Sequence, residues 1–63
     1  MKKGTVLKCI KDDGLVITNA IRKGYLYVVR KDCSTISSIV MIQDDRGMAF
    51  GFYSSRFIIV IEP

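Results

Sequence analysis

Two pairs of adjacent aspartates are the clearest candidates for chemistry in this sequence of 63 residues. Asp12-Asp13 and Asp44-Asp45 could bind a divalent metal or act as an acid and a base, functions that need carboxylates converging on one point. Adjacent side chains on a strand or tight turn diverge, however, and each pair is followed closely by a glycine. The spacing therefore favours turns over a metal or catalytic site.

Hydroxyl and thiol nucleophiles are present, but the residues that would activate them are not. The chain contains no histidine, and no glycine-flanked elbow surrounds its serines. Cys9 and Cys33 match no metal or redox spacing, so we predict two small core residues, with a disulfide between them as the alternative. We predict no catalytic residue, no metal, no cofactor and no enzymatic activity. The hydroxyl residues considered are Ser34, Thr35, Ser37, Ser38, Ser54 and Ser55.

Arg56 stands between a serine pair and the last apolar run of the chain, where its guanidinium could serve a ligand or the fold. The planar fork of donors suits a carboxylate or a phosphate. The structural alternative is that it donates hydrogen bonds to turn carbonyls or pairs with Asp44 or Asp45. We favour the structural interpretation, because arginines at strand edges often bond to the local backbone.

The charge balance is basic, with ten Lys and Arg against six Asp and Glu, and a net charge of +4. Basic loops beside exposed aromatic rings suit single-stranded nucleic acid, because bases stack on the rings while the cations contact phosphates. Solvated lysines and core aromatics explain the same residues without a ligand. Nucleic-acid binding is therefore the alternative function. Its candidate residues are Lys8, Lys11, Tyr25, Arg30, Lys31, Tyr53 and Arg56.

Short β-branched and aromatic runs alternate with clusters of Gly, Asp, Ser and Asn, which is typical of strands joined by turns. The pattern predicts one all-β domain over residues 1–63, a small barrel or sandwich with a long loop after the first strand. A 3₁₀ turn is expected at Ser54-Ser55-Arg56. The predicted strands are Thr5 to Ile10, Tyr25 to Arg30, Ile36 to Gln43, Met48 to Tyr53 and Phe57 to Ile61.

The strands from Tyr25 and from Phe57 are apolar on both faces. In the last strand, strict alternation places Phe57, Ile59 and Ile61 on one face and Ile58 and Val60 on the other. The strand from Tyr25 is therefore expected to be buried on both sides or to lie beneath a loop. Because a domain of this size has one core, the last strand needs a second cover. The long loop, a second copy of the chain or a host protein could provide it. The residues expected to bind a protein are Ile17, Ile21, Arg22, Lys23, Ile58 and Val60.

Three segments are similar to short proteins of bacteriophages and prophages, and together with the order of elements they resemble an SH3-like barrel. The resemblance covers nearly the whole chain and implies a five-stranded SH3-like β-barrel of phage or prophage origin. It carries little function, and the absence of tryptophan argues against recognition of proline-rich peptides. The segments are Gly24-Tyr25-Leu26-Tyr27-Val28-Val29, Asp44-Asp45-Arg46-Gly47 and Phe52-Tyr53-Ser54-Ser55-Arg56-Phe57.

We therefore expect a small non-enzymatic module that acts by protein–protein contact and modulates or inhibits a host protein. A homodimer through the same surface is a related alternative. The sequence runs from Met1 directly into a strand-like segment, and its longest apolar run, Phe57 to Ile61, is far too short to cross a bilayer. These features predict a cytoplasmic location and no membrane contact.

Overall fold

The structure is a computed structural model that describes residues 1–15, 19–34 and 38–63. It contains five strands and one 3₁₀ turn, which confirms the predicted number and order of these elements. Ile36, the expected start of the third strand, lies outside the described residues. In chain order the elements are β1 (Val6–Cys9), β2 (Leu26–Val28), β3 (Ile39–Gln43), β4 (Ala49–Tyr53), the 3₁₀ turn (Ser54–Arg56) and β5 (Phe57–Ile61).

The strands form two antiparallel sheets, and over the described residues these do not close into the expected barrel. One sheet has the order β2-β1-β5, and the other pairs β3 with β4. The sheets meet at an isolated bridge between Val29 and Ile42 and at a 2.8 Å hydrogen bond from the Arg30 N–H to the Met41 carbonyl. Closure fails because β4 leads into β5 through the 3₁₀ turn without pairing with it.

The core is filled from one face of each sheet and by two residues of the long loop. In β1 the expected alternation is confirmed, since Leu7 and Cys9 are buried while Lys8 is exposed. Cys9 and Cys33 are both free thiols. The buried apolar residues are Leu7, Cys9, Ala20, Ile21, Tyr27, Val29, Val40, Ile42, Phe52 and Phe57.

The expectation that the second strand is buried on both sides or lies beneath a loop is wrong. Tyr27 and Val29 enter the core, but Leu26 is 60% exposed and Val28 is 45% exposed. One core can cover only one face of a three-stranded sheet. The other face of β2 is therefore left in contact with solvent by the described part of the chain.

β5 contains a bulge that changes which of its side chains share a face. Leu7 pairs with Ile59, whereas the adjacent residue of β1, Val6, pairs with Ile61. Val60 is therefore an extra residue between two paired positions. The strict alternation expected for this strand is wrong beyond Ile59, because Ile61 lies opposite Val6.

Asp44 organises the turn between β3 and β4. Its Oδ1 accepts hydrogen bonds from the backbone N–H groups of Arg46 (2.9 Å) and Met48 (3.1 Å). Its Oδ2 accepts from the Arg46 guanidinium at 2.7 Å. Gly47 has a φ of +79°, a conformation that favours glycine. The turn interpretation of this aspartate pair is confirmed.

Arg56 attaches the segment that follows β1 to the 3₁₀ turn. Its Nη1 donates hydrogen bonds to the carbonyls of Lys11 (3.2 Å) and Asp13 (2.6 Å). The interpretation that Arg56 bonds to turn carbonyls is therefore confirmed. The suggested pairing with the second aspartate pair is wrong, since the carboxylate of Asp44 binds Arg46 and that of Asp45 accepts from a tyrosine.

That tyrosine is Tyr27, whose buried hydroxyl joins the long loop to the β3–β4 turn. It donates to Asp45 Oδ2 at 3.0 Å and accepts from the Arg22 N–H at 2.8 Å. The Asp45 N–H in turn donates to the Ala20 carbonyl at 2.8 Å. Burial, together with the hydrogen bond to Asp45, raises the pKa of Tyr27 to about 12. The hydroxyl is therefore uncharged at physiological pH and donates its hydrogen bond to Asp45.

Removing this hydroxyl with Tyr27→Phe should lower the free energy of unfolding by about 1–2 kcal/mol, because the Arg22 N–H loses its acceptor. Urea titration measures the loss. Tyr25→Phe is the matched control, since Tyr25 is 53% exposed, and it should change stability by less than about 0.5 kcal/mol. Equal effects of the two substitutions would contradict the proposed network.

Asp44→Asn should destabilise the protein strongly at neutral pH and weakly in acid. Burial acts to raise the pKa of the Asp44 carboxyl, but hydrogen bonds from Arg46 and Met48 outweigh it and lower that pKa below its ordinary value. Such a group contributes stability above its unfolded pKa of about 3.9, and the contribution is lost as pH falls through the lowered folded pKa.

We expect a loss of about 1–3 kcal/mol near neutral pH, shrinking toward zero below the folded-state pKa of Asp44, in urea titrations across the acid range. Asp13→Asn, at an exposed residue, is the control, and it should change the free energy of unfolding little at any pH in this range. A loss at Asp44 that is independent of pH would contradict this account.

Candidate protein-binding site

The outer face of the three-stranded sheet is apolar and exposed. Directly opposed residues of antiparallel strands share a face, so Val6 lies beside Val28 and Ile61, and Lys8 lies beside Leu26 and Ile58. We refer to this surface as the sheet face. Its residues are Val6, Lys8, Leu26, Val28, Ile58 and Ile61, with Val60 adjoining at the bulge.

The architecture explains why this surface is bare. Leu7 and Cys9 of the central strand point to the core, so Val6 and Lys8 between them must point outward. Ile58 remains 49% exposed and Ile61 61% exposed, as the described residues place nothing over them. β-branched side chains fit a pleated strand. The β-branched residues of β5 therefore favour its strand conformation, while the outer surface that they form stays exposed to solvent.

Lys8 is the charged residue at the middle of this surface. The strand registers place Leu26 on one side of it and Ile58 on the other. Its carbon stem can pack along these apolar neighbours while the ammonium group reaches solvent. The one salt bridge among the described residues joins Arg46 to Asp44. Lys8 therefore has no ionic partner among them. The sheet face is therefore apolar with a positive centre.

Of the five predicted protein-binding residues that the structure describes, two lie on or beside this surface and three do not. Ile58 is on the sheet face and Val60 adjoins it at the bulge. Ile21 is only 2% exposed, because it fills the core under the long loop, and its expected role in surface contact is wrong. Ile17 lies outside the described residues.

Arg22 and Lys23 are exposed, but they line a separate depression of about 550 Å³. Asp12 and Tyr25 also line it, and Asp12 Oδ2 accepts the Lys23 N–H at 3.0 Å. Gly24 follows these basic residues and bonds to the carbonyl of Cys9. The pair therefore lies near the end of the sheet at which β2 begins, rather than on the sheet face.

Sequence reasoning missed Val6, Leu26, Val28 and Ile61 as members of this surface. Leu26 and Val28 alternate with Tyr27, and their apolar character was interpreted as burial on both sides. The signal that could have found them is the constraint of a single core, which had been applied only to the last strand. The position of Ile61 depends on the bulge, for which the sequence offers no local signal.

A second apolar surface, the β4 groove, was also missed. It has a volume of about 360 Å³ and runs beside the edge strand β4. Arg56 borders it, with the guanidinium held by backbone carbonyls. Phe50 is substantially exposed, because it lies near the start of the hairpin strand. The lining includes Gly14, Leu15, Ile39, Phe50, Tyr53 and Arg56.

The residues of the nucleic-acid alternative do not form one surface. Tyr25 precedes β2 in the first sheet, whereas Tyr53 ends β4 in the second. Arg30 donates to the Gln43 side chain at 3.1 Å, and Arg56 is bound to carbonyls. Lys8 lies on the sheet face. Lys11 and Lys31 are exposed in the segments after β1 and after β2.

Two kinds of site chemistry, metal binding and thiol nucleophilicity, can be checked on the described residues. They contain no group of three His, Cys, Asp or Glu side chains that could hold a metal ion. Burial raises the pKa of the Cys9 thiol, which disfavours the nucleophilic thiolate. No helix in the described part of the chain has the length and apolar character needed to span a membrane.

No protein-family profile matches the chain, and no curated protein or solved structure is significantly similar to it. The function must therefore be inferred from the side chains and their arrangement.

Polar substitutions on the sheet face should leave the protein folded. The double substitution Leu26→Thr and Ile58→Thr places β-branched residues, which favour strands, at both positions and should change the free energy of unfolding by less than about 1 kcal/mol. It should also reduce the fluorescence of a hydrophobic dye bound to the native protein.

The control is Leu7→Ala on the opposite face of the same sheet, which should cost about 2–5 kcal/mol. Urea titration and dye fluorescence measure the two effects. If the Thr variant unfolds as readily as the Leu7→Ala variant, the sheet face belongs to the core and this assignment is wrong.

Proposed function

We propose that this protein is a small non-enzymatic binding module whose sheet face docks onto another protein. The observation that carries the proposal is the cluster of half-exposed aliphatic side chains on one sheet face, led by Leu26 and Ile58. Burying a Leu, Ile or Val side chain completely is worth roughly 1.5–3 kcal/mol. A partner that covers the exposed halves of several such residues therefore gains substantial binding free energy.

The size of the surface indicates how it is used. The three strands are four, three and five residues long, and at a spacing of about 4.8 Å they cover on the order of 200 Å². A standard interface buries about 800 Å² on each partner. The sheet face is therefore the apolar centre of a larger contact, whose polar rim includes residues around it. Arg30, which follows the outward-facing Val28 at the next alternate position, is suited to this rim.

The wider setting of this function follows from the sequence resemblance. We propose that the chain is an SH3-like domain encoded by a bacteriophage or prophage, and that the bound partner is a host protein whose activity it modulates. Two small antiparallel sheets with a 3₁₀ turn before the last strand are compatible with that fold. The proposed contact surface is the sheet face, and it requires neither catalysis nor a cofactor.

Ile58→Asp should abolish partner capture while leaving a folded monomer, because it places a carboxylate in the apolar centre of the contact. The measurement is a tagged pull-down from bacterial lysate, run in parallel with and without nuclease treatment, with captured proteins identified by mass spectrometry. Met48→Asp, at an exposed apolar residue outside the sheet face, is the matched control and should retain the partner.

Capture that survives Ile58→Asp would contradict the proposal. Recovery of nucleic acid, with proteins lost after nuclease, would support the alternative function. That alternative predicts an affinity falling by roughly one power of salt concentration per phosphate contact. An apolar contact would show a shallow salt dependence.

A further inference from the structure

We propose that the partner of the sheet face is a protein surface that combines apolar side chains with an Asp or Glu placed opposite Lys8. This inference rests on the proposed function and adds the partner's chemistry. It follows from the position of one positive charge among aliphatic residues that a partner must cover.

Covering Lys8 with a partner costs free energy, because its charge loses water. Leu26 and Ile58 flank it in register, so a surface that buries these two side chains also removes water from the base of the lysine. An ammonium group that loses its hydration without gaining an opposite charge is strongly unfavourable. A carboxylate on the partner offsets this cost and forms a charge-assisted hydrogen bond.

The chain itself has no acid in place for this role. Four of the six carboxylates are engaged elsewhere: Asp12 accepts from Lys23, Asp32 from Lys3, Asp44 from Arg46 and Asp45 from Tyr27. Asp13 lies in the turn after β1. Glu62 follows Ile61, which pairs with Val6, so it is about three strand positions, or roughly 10 Å, from Lys8.

The same charge disfavours a second copy as the occupant. Two sheet faces packed on each other would bring two Lys8 ammonium groups into one dry interface, since an isologous contact repeats the same patch on both sides. Like charges in such an interface are costly. An acidic, apolar partner satisfies the surface, whereas self-association does not.

The test is a selection from a displayed library of random peptides against four immobilised baits: the wild type, Lys8→Glu, Ile58→Asp and Lys31→Glu. Lys31 is exposed outside the sheet face, so Lys31→Glu changes the net charge as Lys8→Glu does. Peptides enriched on the wild type and on Lys31→Glu should combine apolar residues with Asp or Glu. Those enriched on Lys8→Glu should carry Lys or Arg instead.

The strongest wild-type peptide is then synthesised and measured by fluorescence anisotropy. Lys8→Met, which keeps an unbranched stem but removes the charge, should weaken its binding about 10- to 100-fold. Changing the acidic residue of the peptide to Gln should weaken binding to the wild type equally, and it should make little difference to Lys8→Met.

The possible failures are distinguishable. If the selected peptides fail to bind Ile58→Asp but bind the Lys8 variants as well as the wild type, the acidic partner is wrong and the proposed function still stands. Enrichment that is no greater on the wild type than on Ile58→Asp overturns both. A wild-type dimer in sedimentation that Ile58→Asp dissociates replaces the acidic partner with a second copy.

Discussion

The packing of two small sheets on one shared core is the constraint on which the rest of the structure depends. Leu7 and Cys9 of the central strand β1 commit one face of the three-stranded sheet to that core. The second sheet covers this face with Val40 and Ile42, and the long loop adds Ile21. The opposite face then has no element to pack on among the described residues.

This arrangement separates the stability of the protein from its binding function. Stability depends on the core and on polar contacts that fix the loops, such as the Tyr27 hydroxyl between Arg22 and Asp45 and the carboxylate of Asp44 in the β3–β4 turn. The proposed binding uses the sheet face, whose side chains lie outside the buried core. A surface of this kind can change its partner without endangering the fold.

The parts of the structure that sequence predicts well are those determined by local chemistry. Strands and turns follow from residue type and period, and the 3₁₀ turn at Ser54–Arg56 follows from a segment too short for an α-helix. Features that depend on tertiary contact were missed, including the bulge at Val60, the burial of Ile21 and the exposure of Leu26. The exposure of Ile58 was predicted, because a strand that is apolar on both faces can bury only one of them in a single core.

The central claim is that the sheet face makes the protein contact, and methyl-resolved NMR tests it most directly. The protein is labelled at its Ile, Leu and Val methyl groups and titrated with the purified partner. Our account predicts the largest shifts at Leu26, Val28 and Ile58. Largest shifts at Leu15 and Ile39, with the sheet-face methyls unmoved, would contradict it and would place the contact in the β4 groove.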